Sequence, residues 1–332
     1  MAVKKTLILV AIALLGLANT AHAWNGQGHE QVADIAWKQL NAKAKKVVAQ
    51  ILMAGDPQFR PASDKEEDVR SAFRKAATFA DYIKGNTYPN YKETLYEKRI
   101  DQENLKWHPD TDEEVSPGEK TRCKTWHYFD TPIRYKGDKP KAPGSNALLA
   151  LGEARDRLAE LEKQMSADRQ SECWYLYWIE HVTGDLHQPL HCVSSFEFDP
   201  KGDAGGNRFR TGISDSQRPE RTVNLHSYWD SGISHAVEKD VKQGLPGDME
   251  AVTDRWSADS ALKPSEADAD NLDIASWIKN GAELADSKVY TGIEREGKAS
   301  ADYENAHIEL SKKQAVLAGT RLARLLNKIL GS

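Results

Sequence analysis

Residues 174–192 read WYLYWIEHVTGDLHQPLHC and predict the central element of the fold. Residues 173–184 are apolar on nearly every side, which is typical of a helix buried in the middle of a protein. His181 and Asp185 are four residues apart, so a helix places both side chains on one face. The proline of the QPL sequence then turns the chain before His191. The stretch therefore predicts a buried helix that ends among imidazole and carboxylate groups.

Helical spacing extends over most of the chain. Apolar residues recur at intervals of about 3.6 in further segments, namely 30–53, 66–84, 146–164, 225–241, 268–285 and 303–330. Polar loops at 98–120 and 199–220 separate some of these segments, and 211–221 predicts the tip of a hairpin. We therefore predict the all-α fold class, with a single mainly helical domain over residues 24–332.

The amino-terminal residues have the pattern of a cleaved signal peptide. Lys4 and Lys5 precede a short apolar run at 7–18, and residues 21–23 read AHA, a small-x-small cleavage sequence. The apolar run is shorter than the roughly 20 residues that a membrane span needs, so no membrane anchor is expected. We predict that residues 1–23 are removed, that the mature chain begins at Trp24, and that the protein is exported, either periplasmic or secreted.

Charge and cysteine content exclude some classes of site. The formal net charge is −5, and removal of the two early lysines makes it more negative, so the chain lacks the basic footprint common in nucleic-acid binders. Cys123, Cys173 and Cys192 allow at most one disulfide within the chain, and the sequence leaves the pairing open. The absence of a CxxC pattern argues against a cysteine zinc site.

A second pair with helical spacing supports a metal site. His226 and Asp230 in NLHSYWD repeat the four-residue spacing, and imidazole with carboxylate suits zinc. One such pair alone is compatible with a purely structural hydrogen bond. Two pairs together with His191 favour metal binding.

Three upstream residues are candidates of lower specificity. His127 occurs in TWHYFDTP, Asp81 in TFADYIK, and His29 five residues after Trp24. Taken singly, they are compatible with a core histidine, a carboxylate at a helix end and a surface histidine.

The full set of motifs is more specific. W-x4-H, ADxI, HYxDTP, HxxGDxHQPLH, GGN and NLHSxWD follow one another between Trp24 and Asp230. This series resembles the zinc-dependent single-strand nucleases, which comprise fungal nucleases, plant bifunctional nucleases and bacterial relatives. The resemblance implies a helical fold like that of zinc phospholipase C with a trinuclear zinc cleft. It also implies endonuclease activity on single-stranded DNA and RNA that gives 5′-phosphate products, with 3′-nucleotidase activity on mononucleotides and no obligate protein partner.

The resemblance implies three zinc ions and their ligands. One ion would be held by Asp81, His127, His181 and Asp185. The second would be held by the amino group and carbonyl of Trp24, by His29, and by Asp185 as a bridge. The third would be held by His191, His226 and Asp230.

The resemblance also implies roles around the substrate. Asp81 would orient the attacking hydroxide, and Lys84 would offset phosphate charge at a position where fungal enzymes tend to have arginine. Asp130 would support the metals, by contact with the Trp24 amine or with a ligand histidine. Tyr128 would stack on a base, with simple core packing as its alternative, and Asn207 would contact the base.

Two other functions fit parts of the pattern. A zinc phospholipase C shares the His-x3-Asp-x5-His spacing, but Asp230 in place of Glu and the closeness of His29 to Trp24 favour a nuclease. A zinc-storage protein without catalysis needs exposed, flexible histidine-rich tracts, whereas these histidines are spread over segments predicted to be structured.

Overall fold

The computed structural model describes residues 24–84, 122–141, 147–164, 169–215 and 218–332, without the side chains of residues 83, 84, 122–124 and 170. Helices dominate this part of the chain, and the all-α prediction is confirmed. The α-helices are α1 (Gly26–Gln39), α2 (Ala42–Ala54), α3 (Glu66–Ala76), α4 (Phe79–Lys84), α5 (Ala147–Lys163), α6 (Arg169–Asp185), α7 (Leu225–Asp230), α8 (Gly232–Lys242), α9 (Met249–Ala258), α10 (Glu266–Asp270), α11 (Ile274–Leu284) and α12 (Ala301–Leu330).

Short strands and tight helical turns connect the helices around the site. The strands are β1 (Thr131–Ile133), β2 (Val193–Ser195), β3 (Arg210–Ser214) and β4 (Thr222–Asn224), and the 3-10 turns are Arg122–His127 and Pro189–Cys192. A π-helical turn, Ala285–Val289, follows α11. β1 pairs with β2 in parallel, and β3 pairs with β4 as an antiparallel hairpin, as the sequence predicted for this loop.

Several predicted helices were too long, and one helix was missed. The segment 30–53 divides because the Asn41 side chain accepts a hydrogen bond from the Ala44 amide and starts a new helix. The segment 66–84 breaks after Ala76, and 225–241 breaks at Ser231. The segment 268–285 also divides, because Asp273 caps a new helix there. Helix α9 was not predicted from the sequence.

Helix α6 lies at the centre of the larger core, as predicted. Trp174 and Trp178 are almost completely buried and lie edge-to-face with one another, which confirms their assignment to the core. The helix packs against α1, α2, α5 and α12. Its carboxyl-terminal end, where His181 and Asp185 lie, therefore has a rigid support.

Helix α1 brings the first residues of the described chain to the end of α6. It packs closely on α12, where a Cβ on Gly319 would come within 2.5 Å of Ile35 Cγ2. Asn25 caps α1 by accepting a hydrogen bond from the Gly28 amide at 3.0 Å. His29 consequently projects from the first turn of a firmly packed helix. Among the residues described, no helix is long and apolar enough to cross a membrane.

Candidate metal centre

Asp185 lies between histidines from three different elements. Its Oδ1 is 3.3 Å from His29 Nε2, whereas its Oδ2 is 3.1 Å from His127 Nδ1 and 3.4 Å from His181 Nε2. All four side chains are fully buried. One carboxylate therefore faces two groups of ring nitrogens, which is the geometry that a bridging ligand needs.

Asp81 completes one of these groups. Its Oδ1 lies 3.9 Å from His127 Nδ1 and 3.8 Å from His181 Nε2. The two ring nitrogens are themselves 3.0 Å apart. Asp81, His127 and His181 can hold one ion together, as can His29, His181 and Asp185.

A further group lies where the chain leaves the Pro189–Cys192 turn and enters α7. Asp230 Oδ1 is 3.8 Å from His191 Nε2, and Asp230 Oδ2 is 3.5 Å from His226 Nε2. The two imidazole rings have centroids 4.8 Å apart. This set is also able to hold an ion.

Backbone carbonyls orient three of the histidines. The Nδ1 atoms of His181, His191 and His226 each lie 2.7 Å from a carbonyl oxygen, those of Ala77, His127 and Gly205 respectively. A carbonyl oxygen only accepts, so each Nδ1 carries the proton and donates. Each Nε2 lone pair is then directed toward the carboxylates, which is how proteins orient histidines that bind metals.

Local structure explains why these carbonyls and rings are available. Ala77 lies where α3 ends, and carbonyls at a helix end lack a partner within the helix. Gly205 adopts φ of +62°, and a Cβ there would come within 2.4 Å of the Leu190 carbonyl oxygen. A Cβ on Gly184 would come within 2.8 Å of His29 Nδ1. The glycines in the GGN and HxxGD motifs thus permit close approaches that the centre requires.

Gln188 is a residue of the site that the sequence reasoning missed. Its side-chain Nε2 donates to Asp230 Oδ1 at 2.7 Å, and its side-chain Oε1 accepts a hydrogen bond from the Leu190 backbone amide. It therefore starts the turn that carries His191 and at the same time orients the Asp230 carboxylate of the third group. Its place in HQPLH, between two histidines, was the available signal.

Burial keeps the His181 imidazole neutral. Burial is the main cause that lowers the pKa of His181 to about 4, although Asp185 opposes the shift. The imidazole is thus neutral near pH 7 and can donate its lone pair to a metal. Neutral imidazoles and carboxylates form the nitrogen and oxygen donor set that suits zinc, so the residues present fit the implied ions.

The other predicted site residues differ in burial. Trp24 is buried, and the next residue, Asn25, donates its amide to the Asp230 carbonyl at 2.9 Å. Tyr128 and Asn207 are half-buried. The side chain of Lys84 lies outside the described residues.

Asp130 is buried in a neighbouring polar cluster. Burial, reinforced by the charge of Asp203, raises its pKa to about 7, and Arg208 opposes the shift. Asp203 itself accepts hydrogen bonds from the Ser195 amide and from the Tyr290 hydroxyl. The structure therefore places Asp130 within reach of the charges of Asp203 and Arg208.

His187, Cys173 and Cys192 are buried outside the three groups. His187 Nδ1 lies 2.7 Å from the Thr183 carbonyl oxygen, and its Nε2 contacts the Arg321 guanidinium at 2.9 Å. Cys173 and Cys192 are buried free thiols, and burial raises the pKa of Cys173 to about 12. The side chain of Cys123 is outside the described residues.

Converging histidine and carboxylate groups in a helical protein are the arrangement expected of a metal-dependent protein. The chain belongs to the S1/P1 nuclease family, whose family model matches residues 24–331. It is 24% identical to Endonuclease 2 of Arabidopsis thaliana over 98% of this chain and 97% of that protein. It is 23% identical to Nuclease S1 of Aspergillus oryzae over 97% of each chain. The protein is therefore an endonuclease, a hydrolase that acts on phosphodiester bonds.

Proposed function

We propose that this enzyme uses three zinc ions to cleave single-stranded DNA and RNA into products with 5′-phosphates, and that it also removes 3′-phosphates from mononucleotides. The observation that carries this proposal is the convergence of three His/carboxylate groups, with the two oxygens of Asp185 directed to different groups.

The residues divide into three ligand sets. Asp81, His127, His181 and Asp185 would form the first set. His29, Asp185 and the amino group and carbonyl of Trp24 would form the second set. His191, His226 and Asp230 would form the third set. The hydrogen bond from the Asn25 amide to the Asp230 carbonyl holds the start of the mature chain at the candidate centre, and His29 of the second set lies in the first turn of the helix that follows.

The catalytic roles follow from the positions of the carboxylates. When bound, zinc would polarise the phosphate and make water acidic enough to attack near neutral pH. Asp81 is 12% exposed, unlike the fully buried Asp185, so it can accept a hydrogen bond from an attacking water. Asp185 would instead hold its two neighbouring groups at a constant separation. Lys84 would offset the charge of the phosphate, and Asp130 would support the metal centre.

Single-strand preference would come from stacking rather than from charge. Tyr128 immediately follows His127 and is only half-buried, so part of its ring remains available to a base. Asn207 follows Gly205 and Gly206, and the Gly205 carbonyl orients His226. A stacked base is worth roughly 1–3 kcal/mol and must be unpaired, which favours single strands for a protein with a negative net charge.

Export would produce the mature amino terminus. We propose that residues 1–23 are a signal peptide and that the catalytic domain spans 24–332, in the periplasm or outside the cell. The start of the family match at residue 24 supports this boundary. No obligate protein partner is proposed.

The test is product analysis on a zinc-loaded sample that begins at Trp24. We expect cleavage of single-stranded DNA and RNA with 5′-phosphate ends, release of phosphate from 3′-mononucleotides, and no hydrolysis of a short-chain phosphatidylcholine. Elemental analysis should find close to three zinc ions per chain, matching the three ligand sets. Lipid hydrolysis without nucleic-acid cleavage would refute the proposed substrate, and an active sample with one zinc ion would refute the trinuclear centre.

A matched pair of histidine variants tests the ligand assignment. His226→Ala should lose one zinc ion and most activity. His235→Ala should keep both, because His235 lies on the neighbouring helix α8 against the Tyr228 ring and belongs to none of the three groups. Equal zinc content in the two variants would contradict the third set.

A further inference from the structure

Phe198 is an exposed aromatic residue that the proposed mechanism does not use. Its side chain is 56% exposed, the highest value among the large hydrophobic residues described as exposed. The guanidinium of Arg295 lies over its ring at 5.3 Å from the centroid. Unpaired bases stack on exposed aromatic rings, and a neighbouring arginine can add a cation–π contribution.

Side chains of a second, smaller hydrophobic core, which includes Phe209 and Tyr290, support the Phe198 ring. Phe198 contacts Phe209 edge-to-face, with centroids 6.3 Å apart, and Phe209 contacts Tyr290 in the same way at 5.8 Å. The Tyr290 hydroxyl donates to Asp203, whose charge acts on Asp130. Ring contacts and one hydrogen bond thus join Phe198 to Asp203, whose charge acts on Asp130, two residues after Tyr128 in the chain.

Phe198 and Asn207 belong to one tightly packed loop. Gly202 has φ of +74°, and a Cβ there would come within 2.2 Å of Ser194 Oγ. At the other end of the loop, the Gly205 carbonyl accepts from the ligand His226. The loop is therefore fixed both to β2 and to the metal centre, so Phe198 is positioned in advance of binding.

Arg295 is also held in place. The amide of Glu296 donates to the Arg210 carbonyl at 2.8 Å, and the Gly212 amide donates to the Gly297 carbonyl at 2.7 Å. These bonds fasten the segment that carries Arg295 to strand β3. The backbone next to Arg295 is thus held by β3, and its guanidinium adds positive charge near the Phe198 ring.

We propose that Phe198, supported by Arg295, stacks on a second base of the same strand, beyond the base expected at Tyr128 and Asn207. This inference rests on the proposed function. Carboxylates also occur here, since Asp199 lies 3.5 Å from the Arg208 guanidinium. The Phe198 ring is itself uncharged, so its own contribution would come from stacking rather than from phosphate attraction and should depend little on salt.

The test compares substrate lengths with the zinc-loaded enzyme. Phe198→Ala should lower kcat/KM on a short single-stranded oligothymidylate by about 5- to 150-fold, the equivalent of ~1–3 kcal/mol for one stacked base. Cleavage of a dinucleotide should not change, because it is too short to reach the ring. Phe198→Trp should restore cleavage of the oligonucleotide. Met53→Ala, which removes another exposed hydrophobic side chain, should behave as the parent on both substrates.

The outcomes separate this inference from the proposed function. Failure of the parent enzyme to cleave either substrate would overturn the function itself. Equal losses by Phe198→Ala on both lengths, or no loss on either, would overturn the stacking role. An oligonucleotide that lacks the base facing Phe198 should abolish the difference between Phe198→Ala and the parent, and a difference that persists would point to another occupant.

Discussion

Gly184→Ala is a small change that tests the geometry of the whole centre. An alanine Cβ at this position would come within 2.8 Å of His29 Nδ1 and 3.1 Å of Cε1, closer than van der Waals contact. The His29 ring stacks on His181, with centroids 3.9 Å apart, so it cannot move away without disturbing a second ligand. We therefore expect His29 to shift by a fraction of an ångström or more.

The size of the effect follows from two opposing contributions. Alanine in place of glycine within a helix stabilises by roughly 0.5–1 kcal/mol. Overpacking costs about 1–3 kcal/mol, so the free energy of unfolding should fall by up to about 2.5 kcal/mol. Turnover should fall much more, by about a hundredfold, because catalysis is sensitive to displacements of the order of 1 Å.

Gly152→Ala is the matched control. This glycine also lies within a helix, α5, but a Cβ there has its nearest neighbour, Ile274 Cδ1, at 4.0 Å. It should gain the helical stabilisation without a clash and keep full activity. Urea unfolding of metal-depleted protein would report stability, and zinc content and turnover of loaded protein would report the site.

Two results would refute this reasoning. One is parental zinc content and turnover in Gly184→Ala. The other is a stability loss in Gly184→Ala that persists in a His29→Ala background, where the clashing ring is absent and the penalty should disappear.

Four further predictions concern the carboxylates, the stacking residue and the amino terminus. Asp185→Asn should reduce activity and zinc content more than Asp230→Asn, because only Asp185 faces two ligand groups; near-parental turnover would exclude the bridge. Tyr128→Ala should weaken binding of single strands by ~1–3 kcal/mol with zinc content intact, and unchanged kinetics would indicate core packing instead. A chain with one extra residue before Trp24 should fold but lose zinc and turnover, because the Trp24 nitrogen becomes a peptide amide, which is not basic enough to bind metal. Equal zinc content and turnover in the two forms would show that the Trp24 amine is not a ligand. Burial raises the pKa of Asp130 to about 7 from 3.8, so its ionisation opposes folding, and stability is lost as pH rises between these values. Asp130→Asn should therefore stabilise metal-depleted protein increasingly over that range in urea unfolding, and a pH-independent difference would contradict this.

The sequence determined those features that depend on local geometry. The spacing of His181 and Asp185, and that of His226 and Asp230, places each pair on one helix face regardless of the rest of the fold. Residues 173–184 are apolar on nearly every side of a helix, which likewise predicted that this helix is central. Helix α6 confirms the prediction. Helix boundaries were predicted less well, because single side chains such as Asn41 start a new helix within an uninterrupted apolar pattern.

The tertiary structure decided how the ligand pairs combine into a centre. Only the packing of α1 on α12 and α6 brings His29 over Gly184 and directs one oxygen of Asp185 to it, while the other oxygen faces His127. The same is true of the Ala77 carbonyl that orients His181, and of the exposed position of Phe198. These contacts join residues far apart in the chain, so their geometry depends on the packing of whole helices, whereas sequence spacing specifies only neighbours within one helix.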